Sequence, residues 1–314
     1  MRALAEEKFG GPIALMDLPT PGIRTDEVLI RVWAAGVNPF DWKVADGELK
    51  NEMEHRFPLI LGFDAAGVVE QVGADVTELA EGDEVYGYLF KPPIGGGAFA
   101  EYVSVPAAIV AKKPESVRFT EAAALPIPGL TAMDLVDAVD AKEGETVLIV
   151  GATGGVGSYA VQLATRRGAR VIATARRANE VFARELGATE TVDHTRKDVV
   201  DAVRMTHPGG IEAIIDVASE RNVLGRIAGL LKEGGRLASS VYAAEVESLA
   251  QRGIKATNVG AQPDARRLEE LSRMVDAGEL TVSLERTFPL ERAPEALGES
   301  RTGHARGKIV LLVD

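Results

Sequence analysis

Apolar and polar positions follow two different rhythms along this chain of 314 residues. In residues 1–117 short apolar stretches are separated by Gly, Pro and Asp turns. The stretches are Glu27–Val37, Ala65–Val72, Glu84–Leu89 and Phe99–Val105, with Pro39, Pro58, Gly73, Gly82, Asp83 and the run 92–97 between them. Strands this short with turns this frequent predict a barrel-like or sandwich-like β-domain. The run Ile94–Gly97 is too rich in glycine for a strand interior and reads as a mobile loop.

After residue 120 the rhythm changes. Thr146–Val150 is a continuous apolar strand, and Val156–Arg167 sets Val156, Ala160, Val161, Leu163 and Ala164 on one helical face. A strand at Val171–Ala175 and a helix at Asn179–Leu186 follow, the helix stopped by Gly187. Then come a strand at Ile211–Val217, a helix at Val223–Lys232, and strands at Arg236–Val241 and Ile254–Val259. Alternating strands and helices predict an α/β domain with a doubly wound parallel sheet. Beyond Asp264 the spacing predicts one more helix, Arg266–Ala277, and a closing strand, Lys308–Val313.

The turn after Thr146–Val150 carries the chemistry. It reads Gly151-Ala-Thr-Gly-Gly-Val-Gly157, with Ala152 where a GxGxxG loop usually has its first glycine and Gly154 and Gly157 at the other two positions. The loop follows a predicted strand and opens a predicted helix, the context in which this motif binds a dinucleotide. Gly154 lets the backbone approach a pyrophosphate, Gly157 lets helix and strand pack closely, and the N–H groups around Ala152, Thr153, Gly155 and Val156 face the phosphates. The residues are those of a Rossmann domain; the plainer alternative is a tight turn with no ligand. About 20 residues on, an NAD site places an acid on the ribose 2′-hydroxyl. Here the second strand ends in Arg176 and Arg177, which suit the 2′-phosphate of NADP(H) by charge and geometry. His194, after the next strand, lies either near the adenine ribose or on the surface.

Composition narrows the partners. Asp and Glu total 47 against 35 Lys and Arg, a net charge of −12, and such a surface repels phosphate backbones and anionic lipid. No nucleic acid and no membrane is expected as partner. The first residues show no secretory pattern, and there is no cysteine, so disulfides, thiolate metal ligands and a cysteine nucleophile are excluded. A reducing cytoplasm fits.

The stretches Gly36-Val-Asn-Pro-Phe-Asp-Trp-Lys43, Gly62-Phe-Asp-Ala-Ala-Gly-Val-Val69, Gly151–Gly157 and Gly303-His-Ala-Arg-Gly-Lys-Ile-Val310 together resemble the zinc-free quinone oxidoreductase branch of the medium-chain dehydrogenase/reductase superfamily. The resemblance covers essentially the whole chain. It implies a GroES-like β-rich catalytic domain at 1–120 completed by 262–314, a Rossmann NADP(H)-binding domain at 121–261, an active-site cleft between them, and a homodimer joined through the Rossmann sheet at Ile254–Val259. Zinc-dependent relatives place a Cys where this chain has Asn38 and a His where it has Phe63, so no metal is expected.

The resemblance also implies the site residues. Asn38, Lys43 and Asp64 are the catalytic candidates, Asp41 and Phe63 the substrate-binding ones, and Thr131 and Ser219 lie near the nicotinamide. Asn38 can orient a carbonyl; Asp41 and Asp64 either act there or are structural, bonding turn backbones or an internal base. Quinone reductases of this branch often have Tyr where this chain has Lys43, and members that reduce enones and alkenals often have Lys. Lys43 is thus either a charge stabiliser for an α,β-unsaturated carbonyl or a solvated lysine. The expected activity is NADPH-dependent hydride transfer to an enone, enal or quinone. The alternatives are an enoyl-thioester reductase of a biosynthetic pathway and a non-catalytic NADPH-binding sensor or scaffold.

Overall fold

The structure, a computed structural model, describes residues Met1–Val313. It forms two compact units, Met1–Leu130 with the segment from Gln262 onward, and Thr131–Ala261.

In chain order the first unit contains β1 (Arg2–Glu6), β2 (Ala14–Asp17), β3 (Glu27–Val37), α1 (Pro39–Ala45), β4 (His55–Ile60), β5 (Asp64–Val72) and β6 (Glu84–Tyr88). It continues with β7 (Ile94–Gly96), β8 (Tyr102–Pro106), β9 (Val110–Lys112), α2 (Phe119–Ala122) and α3 (Pro126–Ala138), which ends in the second unit. The second unit follows with β10 (Thr146–Val150), α4 (Gly155–Arg166), β11 (Arg170–Thr174), α5 (Glu180–Glu185), β12 (Glu190–Val192) and α6 (Val199–Thr206). It closes with β13 (Ile211–Asp216), α7 (Arg221–Ile227), β14 (Leu231–Ser239), α8 (Val246–Ala250) and β15 (Lys255–Asn258). The chain then returns to the first unit as α9 (Ala265–Asp276), β16 (Leu284–Pro289), α10 (Ala293–Arg301) and β17 (Lys308–Leu312).

The long strand β3 organises the first unit. One edge pairs with β5; the other is shared, β8 taking Glu27–Arg31 and β17 taking Ala34–Val37. Nearly every residue of β3 is buried, as expected for a strand covered on both faces. A second sheet in the same unit runs β2-β1-β4-β7.

The second unit holds a parallel sheet in the order β12-β11-β10-β13-β14-β15. The connections reverse direction between β10 and β13, so this is the doubly wound Rossmann order, whose switch point is the place where such sheets bind ligands. α4 buries Gly157, Ser158, Tyr159, Ala160, Val161, Leu163 and Ala164 on one face. A core of Leu148, Ile172, Ile214, Leu224, Ile227, Leu237 and Ile254 fills the unit around the sheet.

Four expectations change. Ile94–Gly96 is the strand β7, paired with β4, and not a mobile loop. Its glycine is there for contact: a Cβ on Gly95, at φ +146°, would lie 2.2 Å from the Arg56 carbonyl oxygen. The helix expected at Val223–Lys232 stops at Ile227, because Leu231 already pairs with Ile211 as the start of β14. Two helices follow Asp264 rather than one; Pro294, which suggests a break, sits in the first turn of α10, where its missing N–H is tolerated. The short helix α6 was not expected either, although Asp198 caps it by accepting from Val200 and Asp201.

Candidate active site

The residues that carry the resemblance near the N-terminus gather at the start of α1. Asn38 precedes the helix in extended conformation and Pro39 opens it, the favoured arrangement for a helix start. Asp41, one turn on, accepts the Asn38 backbone N–H at 2.6 Å with one oxygen and the Gly62 N–H at 3.1 Å with the other. Asp64, the first residue of β5, accepts the Asn38 Nδ2 group at 2.9 Å and the Ile127 N–H at 2.8 Å. Both carboxylates are completely buried. Each has its oxygens occupied within its own unit, Asp41 by two backbone N–H groups and Asp64 by a backbone N–H and the Asn38 amide.

A residue that the pattern of strands and helices did not single out completes the cluster. Lys308, the first residue of β17, is buried, and its Nζ donates to Val37 O at 2.7 Å and to Asn38 Oδ1 at 2.6 Å, with Asp64 Oδ2 at 3.5 Å. Burial pushes the Asp64 carboxyl up, against the pull of Lys308, and pushes the Lys308 ammonium down. Burial also pushes Asp41 up to about 7, opposed by its backbone hydrogen bonds and Lys308. A buried charge is tolerated when it is paired and hydrogen-bonded, and here every member is.

The side chains of two other members of the expected site share no hydrogen bond with this cluster. Phe63 is buried with its ring edge against Phe40, centroids 4.6 Å apart. Lys43 is half-buried on α1, and its Nζ lies 5.7 Å from the centre of the Trp42 ring. Arg301 covers the same ring at 4.8 Å and holds Asp46 with both guanidinium nitrogens. Lys43 itself makes no ion pair among the described residues.

In the second unit the loop after β10 carries the nucleotide-binding expectation. Gly151 N donates to Thr174 Oγ1 at 2.9 Å, which ties the loop to β11. At Gly157 a Cβ would lie 2.1 Å from Gly151 O and 2.7 Å from the Ala152 Cα, so helix and strand approach too closely for any side chain. At Gly154, where α4 begins, a Cβ would meet only Gly151 O at 3.6 Å. Space beside the backbone is thus open at the helix N-terminus, which carries partial positive charge. Thr153 lies near Asn179, whose Nδ2 approaches its hydroxyl at 3.5 Å. Thr131 is buried on α3.

Arg176 and Arg177 are exposed, and neither guanidinium is tied to an acid among the described residues. Asp193 accepts the Arg177 backbone N–H at 3.3 Å with one oxygen, and its other oxygen accepts the Thr195 N–H and hydroxyl. His194 is exposed beside that turn. At the end of β13 the buried Asp216 accepts from Ser219 N at 2.9 Å and Ser239 Oγ at 2.8 Å, which shapes the loop that follows. The Ser219 hydroxyl there is buried without a partner. An open cradle at Gly154, a Ser219 hydroxyl without a partner and two guanidinium groups without an ion pair among the described residues are the features a dinucleotide would engage.

The geometry defines a class: a β-rich unit followed by a Rossmann unit with a glycine loop at the sheet's switch point. Residues 24–115 match the model of the alcohol dehydrogenase GroES-like domain, and residues 186–311 that of zinc-binding dehydrogenases. The chain is 31% identical to a chloroplast envelope quinone oxidoreductase homolog of Arabidopsis thaliana, over 99% of this chain and 98% of the relative. It is 30% identical to an NADPH-dependent alkenal/one oxidoreductase of the same plant, covering 99% of this chain and 79% of that one. Among solved structures, the quinone oxidoreductase of Coxiella burnetii superposes with a TM-score of 0.91 at 33% identity, over 100% of this chain and 99% of that one. The chain belongs to the quinone oxidoreductase-like branch of the medium-chain dehydrogenase/reductase superfamily and is an oxidoreductase with a dinucleotide-binding domain. Among the described residues no group of three or more His, Asp or Glu is placed to hold a metal ion, and no helix is long and apolar enough to cross a membrane.

Proposed function

We propose that the chain is a zinc-independent, NADPH-dependent reductase that delivers hydride to an α,β-unsaturated carbonyl, with quinones as the second acceptor class. The observation that carries the cofactor choice is the pair of unpaired guanidinium groups, Arg176 and Arg177, at the end of β11, where an NAD site would place an acid. The names of the relatives support both acceptor classes.

When bound, NADPH supplies the hydride. The chain's residues do the rest. The N-terminus of α4 and the loop from Ala152 to Gly157 hold the phosphates, with Ser219 and Thr131 serving the nicotinamide end and His194 standing beside the ribose. Lys43, the unpaired cation of α1, stabilises the negative charge that grows on the carbonyl oxygen as the β-carbon receives hydride. Such stabilisation is stronger in the transition state than in the ground state, which raises kcat. Asn38 has one Nδ2 hydrogen given to Asp64; the other faces Gly36 O at a marginal 3.5 Å and is the donor it has left for a substrate oxygen. Asp64 and Asp41 position Asn38, and Phe63 walls the same region. The chain works as a homodimer in a reducing cytoplasm, a second copy pairing along the outer edge of β15, where an exposed strand edge invites a partner.

The test is NADPH oxidation with a small enone, a benzoquinone, an enoyl thioester and buffer alone, each with and without a chelator. The enone is expected to be fastest, and the chelator to change nothing. Lys43→Met should lower kcat/KM for the enone by about tenfold or more, the scale of losing one transition-state donor, and leave the KM for NADPH unchanged. Tight NADPH binding without turnover on any acceptor would replace the enzyme by a sensor, and a bound zinc whose removal abolishes turnover would overturn the metal-free chemistry.

A further inference from the structure

The cluster around Asn38 joins positions far apart in sequence: the start of α1, the start of β5 and the start of β17, 270 residues on. Its charges fix one ambiguous group. An ammonium only donates hydrogen bonds and a carboxylate only accepts them. The Asn38 atom 2.6 Å from Lys308 Nζ is therefore the carbonyl oxygen, and the atom 2.9 Å from Asp64 Oδ2 is the amide nitrogen. A flipped carboxamide would set NH₂ against ammonium and oxygen against carboxylate, so opposite charges on the two sides hold one orientation. Lys308 also grips Val37 O at 2.7 Å, the residue that leads into Asn38. It thus holds both the side chain and the backbone at the point where β3 turns into α1.

We propose that Lys308 is a positioning residue for the reaction: it acts through Asn38, fixing which hydrogen of the carboxamide remains to be given. This rests on the functional reading above, in which Asn38 and Lys43 serve the substrate. Lys308 is buried and touches no reacting atom; its contribution is the geometry of a group that does. Misplacing a reacting group by a fraction of an ångström lowers rate more than it lowers binding.

The test is a double-mutant cycle. Lys308→Gln keeps a donor and removes the charge, and should lower kcat on the best acceptor by about tenfold while the KM for NADPH stays as in the parent protein. The double variant Asn38→Ala/Lys308→Gln should be no slower than Asn38→Ala alone, because residues that act as one unit are non-additive. If removing the charge leaves a buried carboxylate that prevents folding, the neutral pair Asp64→Asn/Lys308→Gln replaces the single variant in the cycle. Additive losses, or a Lys308→Gln rate equal to the parent, would overturn the proposal. Hydrogen exchange supplies a readout without turnover: peptides over 37–46 should exchange faster in Lys308→Gln, and peptides over 146–150 should not. Equal acceleration in both segments, or in neither, also overturns it. A parent protein inert toward every acceptor would sink the functional reading, and the exchange pattern would still decide whether Lys308 holds Asn38.

Discussion

Two regions rich in polar residues differ in how those residues are engaged. Around Asn38 in the first unit, Asp41, Asp64 and Lys308 are buried and bonded to one another or to backbone. Around the glycine loop in the second unit, the Ser219 hydroxyl is buried with no partner, and the guanidinium groups of Arg176 and Arg177 form no ion pair, among the described residues. A polar group whose bonds are filled within its own unit shapes the protein. One held in place with its bonds open is prepared for something else, because leaving it so costs free energy unless a ligand completes it. Sequence alone ranked both regions as functional; the distribution of hydrogen bonds separates the frame from the ligand-facing groups.

The largest expected effect sharpens that division within a single loop. Gly157→Val forces a side chain to within 2.1 Å of Gly151 O. Backbone cannot yield there without moving β10 against α4, so a loss of about 3 kcal/mol or more is expected, larger than most overpacking. Gly154→Ala adds its methyl into open space at φ −82°, a conformation alanine accepts. Its stability should stay within about 0.5 kcal/mol of the parent, while NADPH affinity falls because the methyl occupies the phosphates' approach. Thermal unfolding and cofactor titration of both variants check this; similar stability losses in the two would erase the distinction between packing glycine and cradle glycine.

How much of this was legible beforehand follows from range. The strands β3 and β10 were readable to the residue, because each is a largely apolar run bounded by turns. The glycine loop was readable because its function depends on residue types at fixed short spacing. β7 was not, since Gly95 serves a neighbouring carbonyl rather than chain flexibility, and no local pattern distinguishes the two uses. The fate of Asp41 and Asp64 was open for the same reason: their partners include Gly62, Ile127 and Lys308, which only the fold brings near. Lys308 opens an apolar run and looks like the polar end of a strand; a lysine directly followed by Ile-Val-Leu-Leu was the available sign that it is carried inward with them.

Glu6 is an exception that can break the comparison. It belongs to the first unit and is completely buried, yet neither of its oxygens has a hydrogen-bond partner among the described residues. The buried Trp33 Nε1, Trp42 Nε1 and His55 Nε2 also have no hydrogen-bond partner among the described residues. Burial pushes the Glu6 carboxyl up to about 7 from 4.5, opposed by the Gly11 N–H, which is itself given to Lys8 O, and with a smaller push from repulsion by Asp46. The folded protein therefore keeps the proton through a range in which the unfolded chain has lost it. Folding takes up a proton there, so stability declines as pH rises from about 4.5 to about 7 and is level above. Glu6→Gln removes the ionisation. The variant should match the parent near pH 4.5 and be more stable by on the order of 1–3 kcal/mol at pH 8. Denaturant unfolding at both pH values measures it. A stability difference independent of pH would mean that Glu6 is satisfied in solution, and it would then cease to be an exception to the comparison.

The smallest expected effect is confined to the cofactor and tests the unpaired arginines directly. A charge-assisted hydrogen bond contributes roughly 1.5–3 kcal/mol. Removing one guanidinium from a 2′-phosphate should therefore weaken NADPH by about ten- to a hundredfold. NADH has no phosphate at that position, so its KM should hardly move. Arg176→Ala and Arg177→Ala each leave the backbone in place, and with it the Arg177 N–H bond to Asp193 that sets the turn. Both side chains are exposed, so neither substitution opens a cavity, and stability should not change. The measurement is the pair of KM values, NADPH and NADH, for the parent and both variants. The ratio between cofactors should collapse toward one in at least one variant. If both variants weaken the two cofactors equally, the arginines do not read the phosphate. Asp193, whose carboxylate already bonds this turn, would then be the group to examine at the ribose, and the preference for NADPH would be lost with the arginines' role.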